Sequence, residues 1–431
     1  MQSVTVATEV KRESIFWWEK AFAVAGLLLS TGAFFPLWRE GSGVAFNPVQ
    51  GDIIMQGLWS GIYLVTFFLL FVRFRQVVSL AFKDKLLWLL VGLALVSVLW
   101  SEVPGITLRR SVALLGTTFF GIYLASCYSR QELLKLLIWT LGLSAVLSLG
   151  FTLLLPSLGL HHNFPHFGAM RGIYVNKNVL GRLMALAALA WLMYSLNNHK
   201  NHKERIVGLC FLGISAGIMF LSTSKTALAV FFILLFVFLI YLYRSGRRRN
   251  ILPVLLIVLV AGSSGTMLAN NLNLAATIPF HHNGLDPTLS GRTQLWQLVW
   301  DMIQQRPWLG YGYSAFWLNW TGPSGYIWSV IGWNPPDAHN FYLDMWLQLG
   351  LVGLAIFAVS LFSNLFKALA MIARRKNGFA GMFLLLLLAG MIMYGITDSS
   401  ILIQNSIYWI LYVVISLQLR TKHGEGKGEK A

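Results

Sequence analysis

Charge is scarce in this chain. Asp, Glu, Lys and Arg together make up 11% of its 431 residues, against about 25% in a soluble globular protein. That excludes a water-soluble enzyme as the default reading. Acidic residues are scarcer still, 16 against 33 Lys and Arg. No two are spaced as Asp-x-Asp, so a diphosphate-bound divalent metal has no obvious holder. There are two cysteines, Cys127 and Cys210, which form neither a disulfide framework nor a metal pair. The sequence contains no Gly-x-x-x-x-Gly-Lys-[Ser/Thr] loop for a nucleotide and no Gly-x-Ser-x-Gly elbow for a serine nucleophile. Strict alternation of apolar and polar residues is missing too, which argues against a membrane β-barrel.

What is present is apolar sequence, 56% of the chain, in long runs with aromatic ends. Only helices or closed barrels satisfy their backbone inside lipid, and a spanning helix needs roughly 20 apolar residues. The runs predict an all-α integral membrane protein of about twelve spans: 21–37, 53–72, 86–100, 111–127, 133–155, 179–196, 206–221, 226–243, 251–269, 341–366, 379–396 and 400–419. The first, after Lys11, Arg12 and Lys20, reads as an uncleaved helix rather than a signal peptide. The net charge of +17 is no nucleic-acid signal, because the positives sit in short clusters between spans, such as Arg247, Arg248 and Arg249. With the N-terminus inside, 24 of the 33 Lys and Arg fall on inner segments and nine on outer ones, the bias expected of cytoplasmic loops. The expected organisation is a cytoplasmic N-terminus (1–20), nine spans (21–269), a periplasmic loop (270–340), three spans (341–419) and a cytoplasmic tail (420–431).

The 270–340 segment is too long for a connector. Within it Leu295, Leu298, Val299, Met302 and Ile303 recur at helical spacing, predicting a short helix over 293–305 with Ser290 as N-cap. Trp317, Trp320, Trp328 and Trp333 follow and suit a membrane–water interface.

The nine outer positives run against the charge bias: Arg39, Arg109, Arg110, Arg171, Lys177, Arg182, Lys225, Arg292 and Arg306. Several fall at expected helix starts, where a cation opposes the helix dipole unless an anion is present. As a set they suggest an outward phosphate or diphosphate site; singly, each is better read as a cation reaching lipid headgroups. Histidines His161, His162, His166, His281 and His282 lack the Cys or carboxylate neighbours of a metal site. His339 differs, lying in Pro335-Pro336-Asp337-Ala338-His339-Asn340 just before a span. With Asp337 as N-cap, His339 falls in the first helical turn, where the dipole favours a neutral ring able to accept a proton. Asp337 would push the other way, or orient the ring.

At these residues the chain resembles a known family. Ser290-Gly-Arg-Thr-Gln-Leu-Trp, Arg306-Pro-Trp-Leu-Gly-Tyr-Gly, Ala338-His-Asn-Phe-Tyr-Leu and Leu349-Gly-Leu-Val-Gly look like the O-antigen ligase-related domain. Gly172-Ile-Tyr-Val-Asn-Lys-Asn-Val-Leu-Gly, and Trp100-Ser-Glu-Val-Pro followed by Leu108-Arg-Arg-Ser, look more like its exopolysaccharide-production branch. The resemblance runs over about 85–415. It implies a GT-C-like, metal-independent glycosyltransferase, with no cofactor, in the bacterial inner membrane. Such an enzyme takes glycan from undecaprenyl diphosphate on the periplasmic face. The family's loop arginine maps onto Arg292 and its histidine onto His339. A second arginine maps onto Lys225, a departure, since lysine loses the bidentate fork.

The residues and the resemblance then converge. Cations at Arg292, Lys225, Arg171, Lys177, Arg182, Arg109 and Arg110 would bind the diphosphate and stabilise charge on its bridging oxygen. His339, oriented by Asp337, would take the proton of the attacking hydroxyl. Expected partners are the lipid-linked glycan, a glycan or lipid A core acceptor, membrane lipids, a flippase and a chain-length regulator, with no nucleic acid. Exopolysaccharide or O-antigen polymerisation is favoured, and ligation to lipid A core is the alternative. A solute or anion transporter is the competing class. It predicts ionisable pairs within spans or broken helices in matching halves, which the sequence does not display. A non-catalytic scaffold leaves the helix-end cations unexplained.

Overall fold

The computed structural model describes residues 15–34, 52–162, 166–197, 201–246, 292–318, 320, 322–374 and 378–421. The expected span 251–269, together with Arg39, His281, His282 and Ser290, lies outside them.

The chain is an all-α membrane protein. Eight of the described helices are long and apolar enough to cross a bilayer. In chain order the helices are α1 (Trp17–Ser30), α2 (Ile53–Val72), α3 (Phe74–Ala81), α4 (Lys85–Val96), α5 (Pro104–Cys127), α6 (Arg130–Leu154), α7 (Lys177–Asn197), α8 (His202–Leu221), α9 (Lys225–Arg244), α10 (Arg292–Gln305), α11 (Pro323–Ile331), α12 (Phe341–Ala373), α13 (Gly378–Gly395) and α14 (Ile407–Gln418). Polar residues set many of the starts. Asp52 accepts from Met55 N–H at 2.9 Å, Ser129 and Glu132 form a capping box, and Asn340 accepts from Tyr342 and Leu343. The most deeply buried span is α7. Its Ala185, Ala187, Ala188 and Ala190 let neighbours approach closely, as small residues do between membrane helices.

Of the expected boundaries that move, two bear on the site. The span expected at 111–127 starts at Pro104, whose missing N–H suits a first helical turn. Arg109 and Arg110 therefore lie inside α5 rather than before it. The span expected at 400–419 starts at Ile407 behind the N-cap Ser406. The preceding segment is not a regular helix, although its Ile401 and Leu402 are buried and so give it an apolar look.

The ends of the bundle differ in chemistry. At one end Arg73 pairs with Glu19 at 2.8 Å, Arg420 pairs with Asp84 at 3.1 Å, and Arg130 donates to the Gln418 carbonyl at 2.7 Å. At the other, α10 and α11 form a small separate core of Leu295, Leu298, Val299, Met302, Ile303 and Ile327, closed by Tyr311 and Phe316. All five residues that predicted the α10 helix are in that core.

This second core is tied to the bundle by a break in α12. Gly350 has φ 67°, inside an otherwise helical run. The backbone groups freed there are taken up by 307–312. Leu351 N–H donates to the Pro307 carbonyl at 2.8 Å, Tyr311 N–H to Leu347 at 2.9 Å and Gly312 N–H to Gln348 at 3.0 Å. A Cβ on Gly350 would sit 2.0 Å from the Trp308 carbonyl oxygen. The Arg306-Pro-Trp-Leu-Gly-Tyr-Gly and Leu349-Gly-Leu-Val-Gly motifs are therefore two halves of one joint.

Candidate functional site

His339 does not enter α12. The N-cap is Asn340, three residues past Asp337, the cap that the spacing suggested. His339 precedes the cap with φ 49°, a left-handed backbone that His tolerates better than most residues. The correction has a local cause. Asp337 Oδ1 is occupied by the His339 backbone N–H at 2.7 Å and by His339 Nδ1 at 3.0 Å, so it is not free to cap a helix. The peptide between them is bolted in place. Ala338 N–H donates to Asp344 Oδ2 at 3.0 Å, and Trp296 Nε1 donates to the Ala338 carbonyl at 2.9 Å.

The electrostatics of the pair follow from this geometry. Burial works against a charged imidazole, but the hydrogen bond and charge of Asp337 outweigh it and raise the His339 pKa above its ordinary value. Burial likewise works against the Asp337 carboxylate, and the bonds from His339 overcome it and lower its pKa. With Nδ1–H given to Asp337, the lone pair at Nε2 is the one left to accept a proton. This is more basic than the neutral ring expected from a helix N-terminus, because His339 lies outside the helix.

Arg292 opens α10 and donates through Nη1 to the Thr397 carbonyl at 3.2 Å. It lies in the field of Asp398 and Asp337, and its charge opposes protonation of His339. Arg182, in the second turn of α7 and 5% exposed, pairs with Asp398 and donates to Ser400 Oγ at 3.3 Å. Its guanidinium carbon lies 5.6 Å from the centre of the Tyr408 ring. Thus Arg182, Arg292, Asp337 and His339, separated in sequence, are brought to one place, and the turn 397–400 joins them.

A second pair lies near the start of α7. Lys177 and Lys225 are the first residues of α7 and α9, and their charges are close enough to repel each other. Gly181 makes that possible, since a Cβ there would meet Ser222 Oγ at 2.7 Å and Ser224 Cβ at 2.8 Å. Lys177 Nζ donates to Thr223 Oγ1 at 3.1 Å, and its backbone N–H donates to His161 Nε2 at 3.1 Å. His161 is therefore a cap for α7, with His166 edge-on against it. His162 Nε2 lies 3.3 Å from the Pro156 carbonyl.

The remaining expected cations are placed elsewhere. Arg171 Nε donates to the Leu158 carbonyl at 2.9 Å. Arg110 Nη1 donates to the Ser314 carbonyl at 2.8 Å, and Arg109 is exposed on α5. Among the described residues no three His, Cys, Asp or Glu side chains converge as a metal site would require.

Sequence reasoning missed Asp398, Asp344 and the turn 397–400. Asp344 and Asp398 were legible only as acids near span ends. Their partners, Trp317 and Ala338 for the first and Arg182 for the second, are set by the fold.

An apolar cavity opens between α7, α9, α13 and α14, lined by Leu186, Leu189, Met193, Met391, Tyr394 and Tyr408 among others. Its two tyrosines are neighbours of Arg182.

Residues 210–358 match the O-antigen ligase family, a shorter stretch than the 85–415 over which the motifs resemble it. A curated relative, the exopolysaccharide production protein ExoQ of Rhizobium meliloti (strain 1021), is 32% identical over 89 residues, which is 20% of this chain and 20% of that protein. The chain thus matches about a fifth of the length of that relative. Lys225, Arg292, Asp337 and His339 fall inside the family match; Lys177, Arg182 and Asp398 fall outside it. Residues 210–358 are the part of the chain that is similar to the O-antigen ligase family.

Proposed function

We propose that this protein transfers glycan from a polyprenyl-diphosphate carrier to a sugar hydroxyl at the membrane surface, most naturally as a polymerase of exopolysaccharide or O-antigen. The observation that carries this is the His339–Asp337 pair, whose imidazole Nε2 has no partner among the described residues, beside two arginines. The acceptor oxygen attacks the anomeric carbon and gives its proton to His339 Nε2. The bond from the sugar to the diphosphate breaks, and its electron pair leaves on the diphosphate oxygen. Arg292 and Arg182 stabilise that developing charge, which is worth most in a site shielded from water. Lys177 and Lys225 add positive charge near the start of α7. The apolar cavity beside Arg182 suits the first isoprene units of the carrier. The bond cleaved supplies the energy, so no nucleotide is needed.

The name of the relative, an exopolysaccharide production protein, favours polymerisation over ligation to lipid A core. The outward direction of the site, the bacterial inner membrane and the undecaprenyl carrier belong to the same proposal, as do independence from metal and the flippase and chain-length partners.

The test uses purified chain in lipid discs with a polyprenyl-diphosphate-linked repeat unit, with and without EDTA, and with either a second repeat unit or lipid A core as acceptor. Arg292→Ala is expected to abolish product while the protein is recovered normally. Lys225→Arg is expected to keep activity and Lys225→Ala to lose most of it, since a charge-assisted hydrogen bond is worth about 1.5–3 kcal/mol. Full activity of Arg292→Ala would falsify the assignment.

A further inference from the structure

Trp333 differs from the tryptophans that hold the outer segment together. Four of those around it anchor backbone or carboxylate through the indole N–H, whereas Trp333, like Trp300, Trp308 and Trp320, is exposed. Trp296 donates to the Ala338 carbonyl at 2.9 Å, Trp317 to Asp344 at 2.7 Å, Trp328 to the Pro335 carbonyl at 3.1 Å and Trp346 to the Pro307 carbonyl at 2.9 Å. Trp333 is 39% exposed, and among the described residues its N–H has no partner. Its contact is with the site: the indole lies near-parallel to the His339 imidazole, 15° between planes and 6.1 Å between centroids.

The backbone on either side of the ring is also held in place. Gly332 ends α11 in a left-handed conformation, φ 79°, and directs the chain out of the helix. Pro335 and Pro336 stiffen the backbone that follows, and Trp328 pins the Pro335 carbonyl. An exposed indole on a rigid turn has already lost the freedom that binding would otherwise remove. Nothing in the packing of the α10–α11 core needs it, since Trp333 is not part of that core.

We infer that Trp333 is a saccharide platform: its open face takes the apolar C–H face of a pyranose ring, and its N–H donates to a ring hydroxyl. The observations that carry this are its exposure, its donor without a partner among the described residues, and its stacking beside the proposed base. An indole combines an apolar body with a polar edge, which is what a sugar presents in return. Because the indole lies beside the imidazole, the platform is assigned to the acceptor sugar rather than to the diphosphate. This inference rests on the transferase reading above and names its acceptor subsite.

The experiment varies acceptor at saturating lipid-linked repeat unit and reads KM and kcat. Trp333→Leu is expected to raise the acceptor KM about tenfold, the loss of one aromatic contact, with a much smaller effect on kcat. Trp333→Phe, which keeps the face but loses the N–H, is expected to fall between Leu and wild type. Trp320→Leu is the control, an exposed tryptophan that packs on Trp328 instead of His339. Equilibrium binding of the free repeat-unit oligosaccharide to the same variants is measured as well. If wild type transfers glycan and Trp333→Leu keeps its acceptor KM, the platform is wrong and the transferase reading stands. If Trp320→Leu and Trp333→Leu lose acceptor affinity equally, both act as membrane-interface anchors and the platform is again wrong. If no transfer occurs but oligosaccharide binding is lost selectively in Trp333→Leu, the platform stands and the transferase reading falls.

Discussion

Nδ1 of His339 is committed to Asp337, so an incoming proton arrives at Nε2, and Asp337 governs how readily it stays. In the proposed mechanism His339 accepts a proton only when neutral. Its folded pKa is raised, so activity is lost as pH falls through a midpoint above the ordinary histidine value of ~6.5. Asp337→Asn removes the charge that raises it, so the acidic limb of the rate profile is expected to move to lower pH, with a reduced plateau. His339→Gln is expected to retain donor binding and lose about 10²–10⁴-fold in turnover. Rate profiles of the two variants across pH check both statements, and an unmoved limb in Asp337→Asn would remove His339 from the chemistry. At this scale the sequence was partly readable. The Asp-Ala-His-Asn run marked the pair, because the chemistry of the residues is intrinsic. The left-handed backbone at His339 was not marked, because it follows from hydrogen bonds made by Asp344 and Trp296 to the neighbouring peptide. Arg182 stood out as a misplaced cation, but its partner Asp398 lies in a turn that only the fold brings near.

Among the elements, α12 deserves comparison with its expected form. The apolar run predicted one continuous span, and Leu349-Gly-Leu-Val-Gly looked like a motif without a mechanism. The structure gives it one: Gly350 breaks the helix and 307–312 fill the gap. The position requires glycine twice, for its φ of 67° and for the approach of Trp308. Gly350→Ala is expected to destabilise the fold by on the order of 3 kcal/mol, read as a lower midpoint of thermal unfolding in detergent, with transfer activity falling in parallel. Gly57→Ala, with no atom near the added Cβ, is the comparison expected to change little. Amphipathic α10 was legible because its five buried residues carry a strong local period, whereas the start of α14 was not, because buried Ile401 and Leu402 imitate the apolar run of a span.

For the whole molecule, the segregation of charge was the readable signal. The clusters assigned to one side by their lysines and arginines include the stretches that meet through Arg73–Glu19, Arg130–Gln418 and Arg420–Asp84. The direction in the membrane is tested by labelling. In a chain with exposed Cys210 replaced by serine, Ser329→Cys is expected to react with an impermeant thiol reagent on intact cells, and Ser245→Cys only after permeabilisation. Both positions are exposed. The reverse pattern would invert the topology and put His339 on the wrong side for an outward transferase. Pairings such as Arg182 with Asp398 could not be read at this scale, since no local period records them.

That pairing also bears on the order in which the protein is made. Arg182 enters the membrane with α7, and 218 residues separate it from Ser400, its hydrogen-bond partner beside Asp398. Until the turn before α14 leaves the ribosome, a guanidinium destined for deep burial has no counter-ion. A buried charge left without its partner is worth about 3–5 kcal/mol of destabilisation, so α7 cannot settle into its final place during most of synthesis. The segment that carries the family match is complete before this happens. The nascent chain therefore carries His339 and Arg292 before Arg182 has its counter-ion, and only the turn before α14 supplies it.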